Sequence, residues 1–235
     1  FKGLNLTFET LDGLLKHNGP VKNLNKLNKI LGKNFLNKKI KLSQNPSLEA
    51  QIASIADDIA YNSHDLEDGL KSNLFKLRDL EGIPVLKKII LKHKKNIKNY
   101  SVDLIIRQIV REIINEMVKD IIITTKKNIQ KYKLKNLNDV YKSNYKVVTF
   151  SKQMKEFDRK IKSFLKKKMY YHKEVIKNTN RGKTIIRKLF LSIKKKPDKY
   201  INVSKYDKSD IARSICDFIA GMTDRYAINL YKKIK

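Results

Sequence analysis

An all-α fold follows from three observations in this chain of 235 residues. Apolar side chains return at helical spacing through two long stretches, 47–70 and 101–130. Ser and Asp residues stand where helix N-caps belong, and neither an internal repeat nor a domain linker interrupts the pattern. One α-helical domain over residues 1–235 is the simplest architecture these features allow.

Taken in order, Leu4, Phe8, Leu11, Leu14 and Leu15 are spaced as one face of a helix with Thr7 near its start, stopped by Asn18, Gly19 and Pro20. From Val21 to Asn45 the chain is rich in Asn and Lys without a sustained period, and reads as a long connection holding at most one short helix. The organising stretch is next. Ser47 is a candidate N-cap for a helix reaching about Asp68, with Leu48, Ile52, Ile55, Ile59 and Leu66 on its buried face. Asp57, Tyr61, Asp65 and Asp68 recur on another face, with Ala53, Ala56 and Ala60 beside them, so a helix or ligand can approach closely there. Spacing of i, i+4, i+8 sets Asp57, Tyr61 and Asp65 along one wall about 12 Å long.

Leu70, Leu74 and Leu77 continue a helical stripe until Gly82 and Pro84 break it, and Val85 to Ile90 begin a short helix with a lysine-rich tail. His93 lies among those lysines, which argues against metal ligation. In 101–130, Leu104, Ile105, Ile109, Ile113, Met117 and Ile121 form a core stripe. Arg107 and Arg111, four apart, share a face that can grip phosphate oxygens, unless Arg111 pairs with Glu112, Glu116 or a carboxylate elsewhere instead. Between 131 and 150, Tyr and Lys interleave, a pattern that either stacks single-stranded nucleic acid or pins a loop, with a short extended piece at Val147–Phe150. Ser151 caps a helix carrying Met154, Phe157, Ile161, Phe164 and Leu165 inward. Arg181 and Gly182 mark a turn before a short helix of Ile185, Ile186, Leu189, Phe190 and Ile193. Ser209 and Asp210 cap a last long segment in which Gly221 permits close helix contact.

Composition narrows the function classes. At 41% apolar residues the chain can bury a core and is not disordered. Its 53 basic against 23 acidic residues give +30, which attracts polyanions, although Lys, Asn and Ile abound everywhere, as codon bias in an AT-rich genome would produce. A single cysteine, Cys216, excludes an intrachain disulfide, and Ile215 and Phe218 beside it suggest a buried thiol. No apolar run reaches the roughly 20 residues that span a bilayer, so a cytoplasmic protein without membrane partners is expected. The chain opens on Phe1 rather than Met, as expected of a fragment.

ADDIAYNSHDLEDGL in the organising stretch resembles the helix of bacterial deoxyguanosine triphosphate triphosphohydrolases that carries the last aspartate of the HD superfamily's H…HD…D metal set. LTFETLDGLLKHNGP at 6–20, FLKKKMYYHKEV at 164–175 and DFIAGMTDRYAINLY at 217–231 resemble further phrases of that family, in its order. The resemblance implies an irregular multi-helix HD-domain-like bundle lacking its N-terminal helices. It implies metal-dependent hydrolysis of dGTP or another dNTP to deoxynucleoside and triphosphate, with Mg²⁺ or Mn²⁺ in the complete enzyme and a homo-oligomer as its form. It assigns Asp57 to the metal, Tyr61 to the nucleotide phosphates and Asp65 to the sugar 3′-hydroxyl, all facing a shared cavity, and it puts basic residues such as Arg107 and Arg111 on the triphosphate. His17, in KHNGP, is either a C-terminal cap or surface residue or falls at the site edge, His64 falls at that edge, and His172 is structural or at that edge. His64-Asp65 is not the family's HD motif, because adjacent helix residues point about 100° apart. The upstream histidines of that motif would precede Phe1, so the chain is expected to be inactive alone. The alternatives are a basic helical nucleic-acid-binding protein, whose binding would fall with salt, and an inert decay product exposing apolar surface.

Overall fold

The computed structural model describes residues 4–23, 25, 41–93, 100–201 and 210–234. Every regular element among them is helical, as the apolar periodicity requires. The chain forms two compact units, Phe1–Met169 and Tyr170–Lys235. In the first unit α1 (Phe8–Leu15), α2 (Leu48–Lys71), a 3₁₀ turn (Leu77–Leu80), α3 (Pro84–His93), α4 (Val102–Lys131), α5 (Leu137–Lys142) and α6 (Lys152–Leu165) follow one another. A π turn, Lys166–Tyr170, leads out of α6. The second unit holds α7 (Lys173–Lys195), a 3₁₀ turn (Pro197–Lys199), α8 (Ile211–Ala220) and α9 (Asp224–Ile234).

Capping fixes where the site helix starts. Ser47 Oγ accepts from the Ala50 N–H at 3.3 Å, and Ser151 Oγ does the same for Met154 at 3.2 Å at the head of α6; each such cap is worth about 1 kcal/mol. Asp210 caps α8 through the Arg213 N–H at 3.0 Å, whereas Ser209 lies outside the described residues. α2 packs against α4 and α6. Ile59, Leu66 and Leu70 of α2, Ile105, Ile109, Ile113 and Met117 of α4, and Phe157, Ile161 and Leu165 of α6 are buried. Fully burying each such side chain stabilises by about 1.5–3 kcal/mol. The second unit has its own core of Ile185, Leu189, Ile193, Ile201, Ile215 and Ile219.

Several expectations are corrected. The α2 helix ends at Lys71 and the stripe does not continue through Leu74, because Asn73 turns left-handed at φ 55 and Phe75 folds back over Gly69; Leu77 opens the separate 3₁₀ turn. The α1 stripe is not core: Leu4, Phe8 and Leu14 are exposed, and Asp12 and Lys16 are buried in their place. Lys16 Nζ pairs with Asp12 at 2.6 Å and donates to the carbonyls of Asn45 at 3.2 Å and Lys41 at 3.3 Å, so its charge is compensated inside. Ile52 and Leu104, expected inside, are exposed. Arg181 and Gly182 make no turn, since α7 runs unbroken through both and Gly182 stands in open space. Gly221 ends α8 instead of sitting in a helix contact, and splits the expected long segment into α8 and α9. The Cys216 thiol is exposed: it lies one residue past Ile215, about 100° around α8 from the buried side. Val147–Phe150 is not a strand, although Val147, Val148 and Phe150 are buried. The connection from Val21 to Asn45 falls largely outside the described residues.

Candidate active-site wall

At 3.6 residues per turn, positions 53, 57, 60, 61, 64 and 68 fall on one sector of α2. All six, Ala53, Asp57, Ala60, Tyr61, His64 and Asp68, are exposed, and Tyr61 is 58% so. Ile59, Ser63, Leu66 and Leu70 turn the opposite way into the core. Asp65 is half-buried at the rim of the open sector. The sequence reading put Asp57, Tyr61 and Asp65 on a cavity wall; here the first two stand on an open helix face, and the larger clefts of the unit are lined by other residues.

Both rims of this face carry ion pairs. On one side Lys162 of α6 reaches Asp58 at 3.4 Å and Asp158 at 2.9 Å, and the buried Asn62 amide donates to Asp158 at 3.0 Å. Partial burial disfavours the Lys162 ammonium, but hydrogen bonding and attraction from Asp158 and Asp58 outweigh it and hold the group above its ordinary value. On the other side Arg107 lies 3.9 Å from Glu67, a loose pair that leaves the guanidinium exposed. Arg111, one turn on, is exposed as well. Glu112 is not its partner, because Lys92 and His93 of α3 hold that carboxylate at 2.7 Å each. Burial pushes Glu112 up, and these two donors more than reverse it, leaving the carboxyl below its usual range.

His17 closes α1, its Nδ1 2.9 Å from the Leu14 carbonyl and its Nε2 2.9 Å from the Asn18 amide. It lines a small cleft together with Asp58 and Lys146, which brings it to the rim of α2 but not onto the Asp57 face. His64 is exposed on that face, and His172 sits at the N-cap of α7 in the second unit. Among the described residues no three His, Cys, Asp or Glu side chains gather as a metal would need. Asp57 offers one carboxylate, so these residues do not make a metal centre by themselves.

Sequence reasoning missed the Asp58, Lys162, Asp158 and Asn62 network. One signal was available: Asp58 and Asn62 lie four apart on α2, as do Asp158 and Lys162 on α6, the spacing of side chains that face one neighbour.

Comparison with known proteins shows what the chain is similar to. A protein of Pelagibacter ubique (strain HTCC1062) named deoxyguanosinetriphosphate triphosphohydrolase-like is 49% identical over 234 residues, covering 100% of this chain and 63% of the relative. This chain is similar along its whole length to that protein. Proteins of that name from Bartonella henselae and Rickettsia typhi are 38% and 34% identical, again over 100% of the chain, and the chain spans 61% and 62% of them. Residues 148–233 match the phosphohydrolase-associated domain, which fits the expected C-terminal portion of such a protein. No described helix is long and apolar enough to cross a membrane.

Proposed function

We propose that this chain forms part of a deoxynucleoside triphosphate triphosphohydrolase, releasing deoxynucleoside and triphosphate, and that α2 supplies one wall of its site. The observation that carries the reading is the row of Asp57, Tyr61 and Asp65 at successive turns, beside an open, alanine-lined face, in a chain similar throughout to proteins named for that activity. Tyr61 donates its hydroxyl to phosphate oxygens, and Asp65 accepts from the sugar 3′-hydroxyl. Arg107 and Arg111 balance the charge of the triphosphate, whose oxygens suit their planar forks. Asp57 is the carboxylate that this chain contributes to a divalent ion, Mg²⁺ or Mn²⁺, which would polarise the phosphate and acidify a bound water. No group of three or more His, Cys, Asp or Glu among the described residues supplies the remaining ligands.

The test is triphosphate release from the four dNTPs by the protein in its native full length. Asp57→Ala is expected to lower kcat/KM at least about 100-fold, and Tyr61→Phe and Asp65→Asn to lower it about 10-fold each, the scale of lost charged and neutral substrate contacts. Release that survives Asp57→Ala at full rate refutes the reading.

A further inference from the structure

Three polar side chains leave α2 along one stripe: Gln51, Asp58 and Asn62, at i, i+7 and i+11, lie within about 40° of one another round the helix. Gln51, buried near the start, accepts from the N–H groups of Val147 and Val148 at 3.1 Å each and donates to the Pro46 carbonyl at 2.9 Å, which clamps that end. Further along, the stripe meets α6. Asn62 is 3% exposed, and its amide donates to Asp158 Oδ1 at 3.0 Å. Asp158 Oδ2 pairs with Lys162 Nζ at 2.9 Å, and the same Nζ reaches back to Asp58 Oδ2 at 3.4 Å. The four groups close a ring whose two rungs stand one helical turn apart on both helices.

Apolar contact also joins the two helices, since Ile59 and Leu66 of α2 and Phe157, Ile161 and Leu165 of α6 are buried. Such contact is non-directional, so it tolerates a small slide or turn of one helix on the other. Hydrogen bonds weaken steeply with distance and angle, and a buried Asn62 amide left without its acceptor costs its full desolvation. The ring therefore selects a single register. Each rung stands one residue after a member of the α2 row: Asp58 follows Asp57 and Asn62 follows Tyr61, about 100° round the helix. Fixing the rungs fixes the directions of Asp57 and Tyr61.

We propose that the ring of Asn62, Asp158, Lys162 and Asp58 is a register clasp, with Asn62 as its positioning residue, that holds α2 in the rotation aiming Asp57 and Tyr61 at a nucleoside triphosphate. The proposal rests on the function proposed above for that row. Gln51 pins α2 six residues before Asp57, whereas the clasp acts within the row's own turns. Polar groups kept for stability alone could be exchanged for apolar ones at little cost; groups that set a register could not be exchanged without misaligning the row.

The experiment pairs two measurements. Turnover is followed in the native full-length protein with whichever of the four dNTPs the wild type hydrolyses fastest. A spin-label distance is measured in the 235-residue chain between Ala53→Cys on α2 and Lys155→Cys on α6, with Cys216→Ser because that thiol is exposed. Asn62→Leu removes a rung, and Asn62→Asp sets two carboxylates against each other. Asn62→Asp/Asp158→Asn restores the hydrogen bond with donor and acceptor exchanged. Ile109→Val, which thins the buried face of α4, controls for plain loss of packing.

Both single Asn62 variants are expected to lower kcat at least about tenfold, since misplacement by about 1 Å costs up to about 100-fold. KM should change less than about threefold, because alignment rather than a substrate contact is lost. The inter-label distance should shift or broaden by roughly 1–2 Å, the scale of helix shifts at packed interfaces, and the exchanged pair should restore distance and kcat together. Ile109→Val lowers the thermal midpoint and leaves kcat unaltered. Asn62→Leu with kcat and distance both unchanged, a loss of kcat no greater than that of Ile109→Val, or an exchanged pair that regains the midpoint but not kcat would each overturn the proposal. Wild-type protein that releases no triphosphate from any dNTP refutes the proposed function instead, and the inter-label distances then decide the clasp by themselves. Should Asn62→Asp fail to fold, Asn62→Leu and the exchanged pair carry the test.

Discussion

Lys162 of α6 stands 3.4 Å from Asp58 of α2, the residue next to the proposed metal ligand Asp57. The same ammonium holds Asp158 of its own helix at 2.9 Å, and Asp158 accepts from the Asn62 amide of α2 at 3.0 Å, so the two helices are tied through both carboxylates, one by the lysine and one by the asparagine.

Lys162→Met is expected to destabilise the first unit by about 1 kcal/mol, a modest figure because the pair is partly solvated. The pH dependence has a definite sign. The folded value of Lys162 is raised above the ordinary 10.5, so its contribution is fully present below that value and is lost as pH rises through the folded one. Denaturant unfolding between pH 8 and 11 should show the gap between wild type and variant unchanged up to 10.5 and narrowing only above it.

Glu112 ties α3 to α4 through Lys92 and His93, and its folded value lies below the ordinary 4.5. Its contribution is therefore present above pH 4.5 and lost as pH falls through the folded value. Glu112→Gln should cost about 1–2 kcal/mol at pH 7 and nothing once both forms are acidified below that range. Chemical denaturation at pH 7 and pH 3 checks it.

At Gly69 an added Cβ would lie 2.2 Å from Phe75 Cε1. Phe75 is buried and set edge-on to Phe164, with ring centroids 4.9 Å apart, so it has no room to yield. Gly69→Ala is expected to cost about 2–3 kcal/mol, visible as a lowered midpoint in thermal unfolding.

Gln51→Leu removes the acceptor for two buried N–H groups and should cost about 2–4 kcal/mol. Gln51→Glu keeps that acceptor but buries a charge and sets a carboxylate oxygen against the Pro46 carbonyl, so it should cost no less at pH 7 in the same unfolding assay.

How far these features could be read in advance depends on what each residue type signals. Long apolar periods and hydroxyl caps act locally, which is why α2, α4 and α6 lie where the spacing of Ile59, Ile109 and Ile161 puts them. The α1 reading failed because a buried ion pair, Asp12 with Lys16, took the place that its leucines would fill, and nothing local in a lysine announces burial against distant carbonyls. Gly182 misled for the opposite reason: a glycine in a long exposed helix costs only about 1 kcal/mol, which neighbouring turns absorb. Asp57, Tyr61 and Asp65 were legible as one row from spacing alone. The Gln51 clamp and the Lys162 bridge were not, because each joins residues about a hundred positions apart in sequence.

The account rests on the α2 row acting on a nucleoside triphosphate, and the most direct measurement is triphosphate release by the native full-length protein against its Asp57→Ala variant. The account predicts release of inorganic triphosphate from at least one dNTP, reduced at least about 100-fold by the substitution with the fold intact. No triphosphate from any dNTP, or release at equal rates from both proteins, would contradict it.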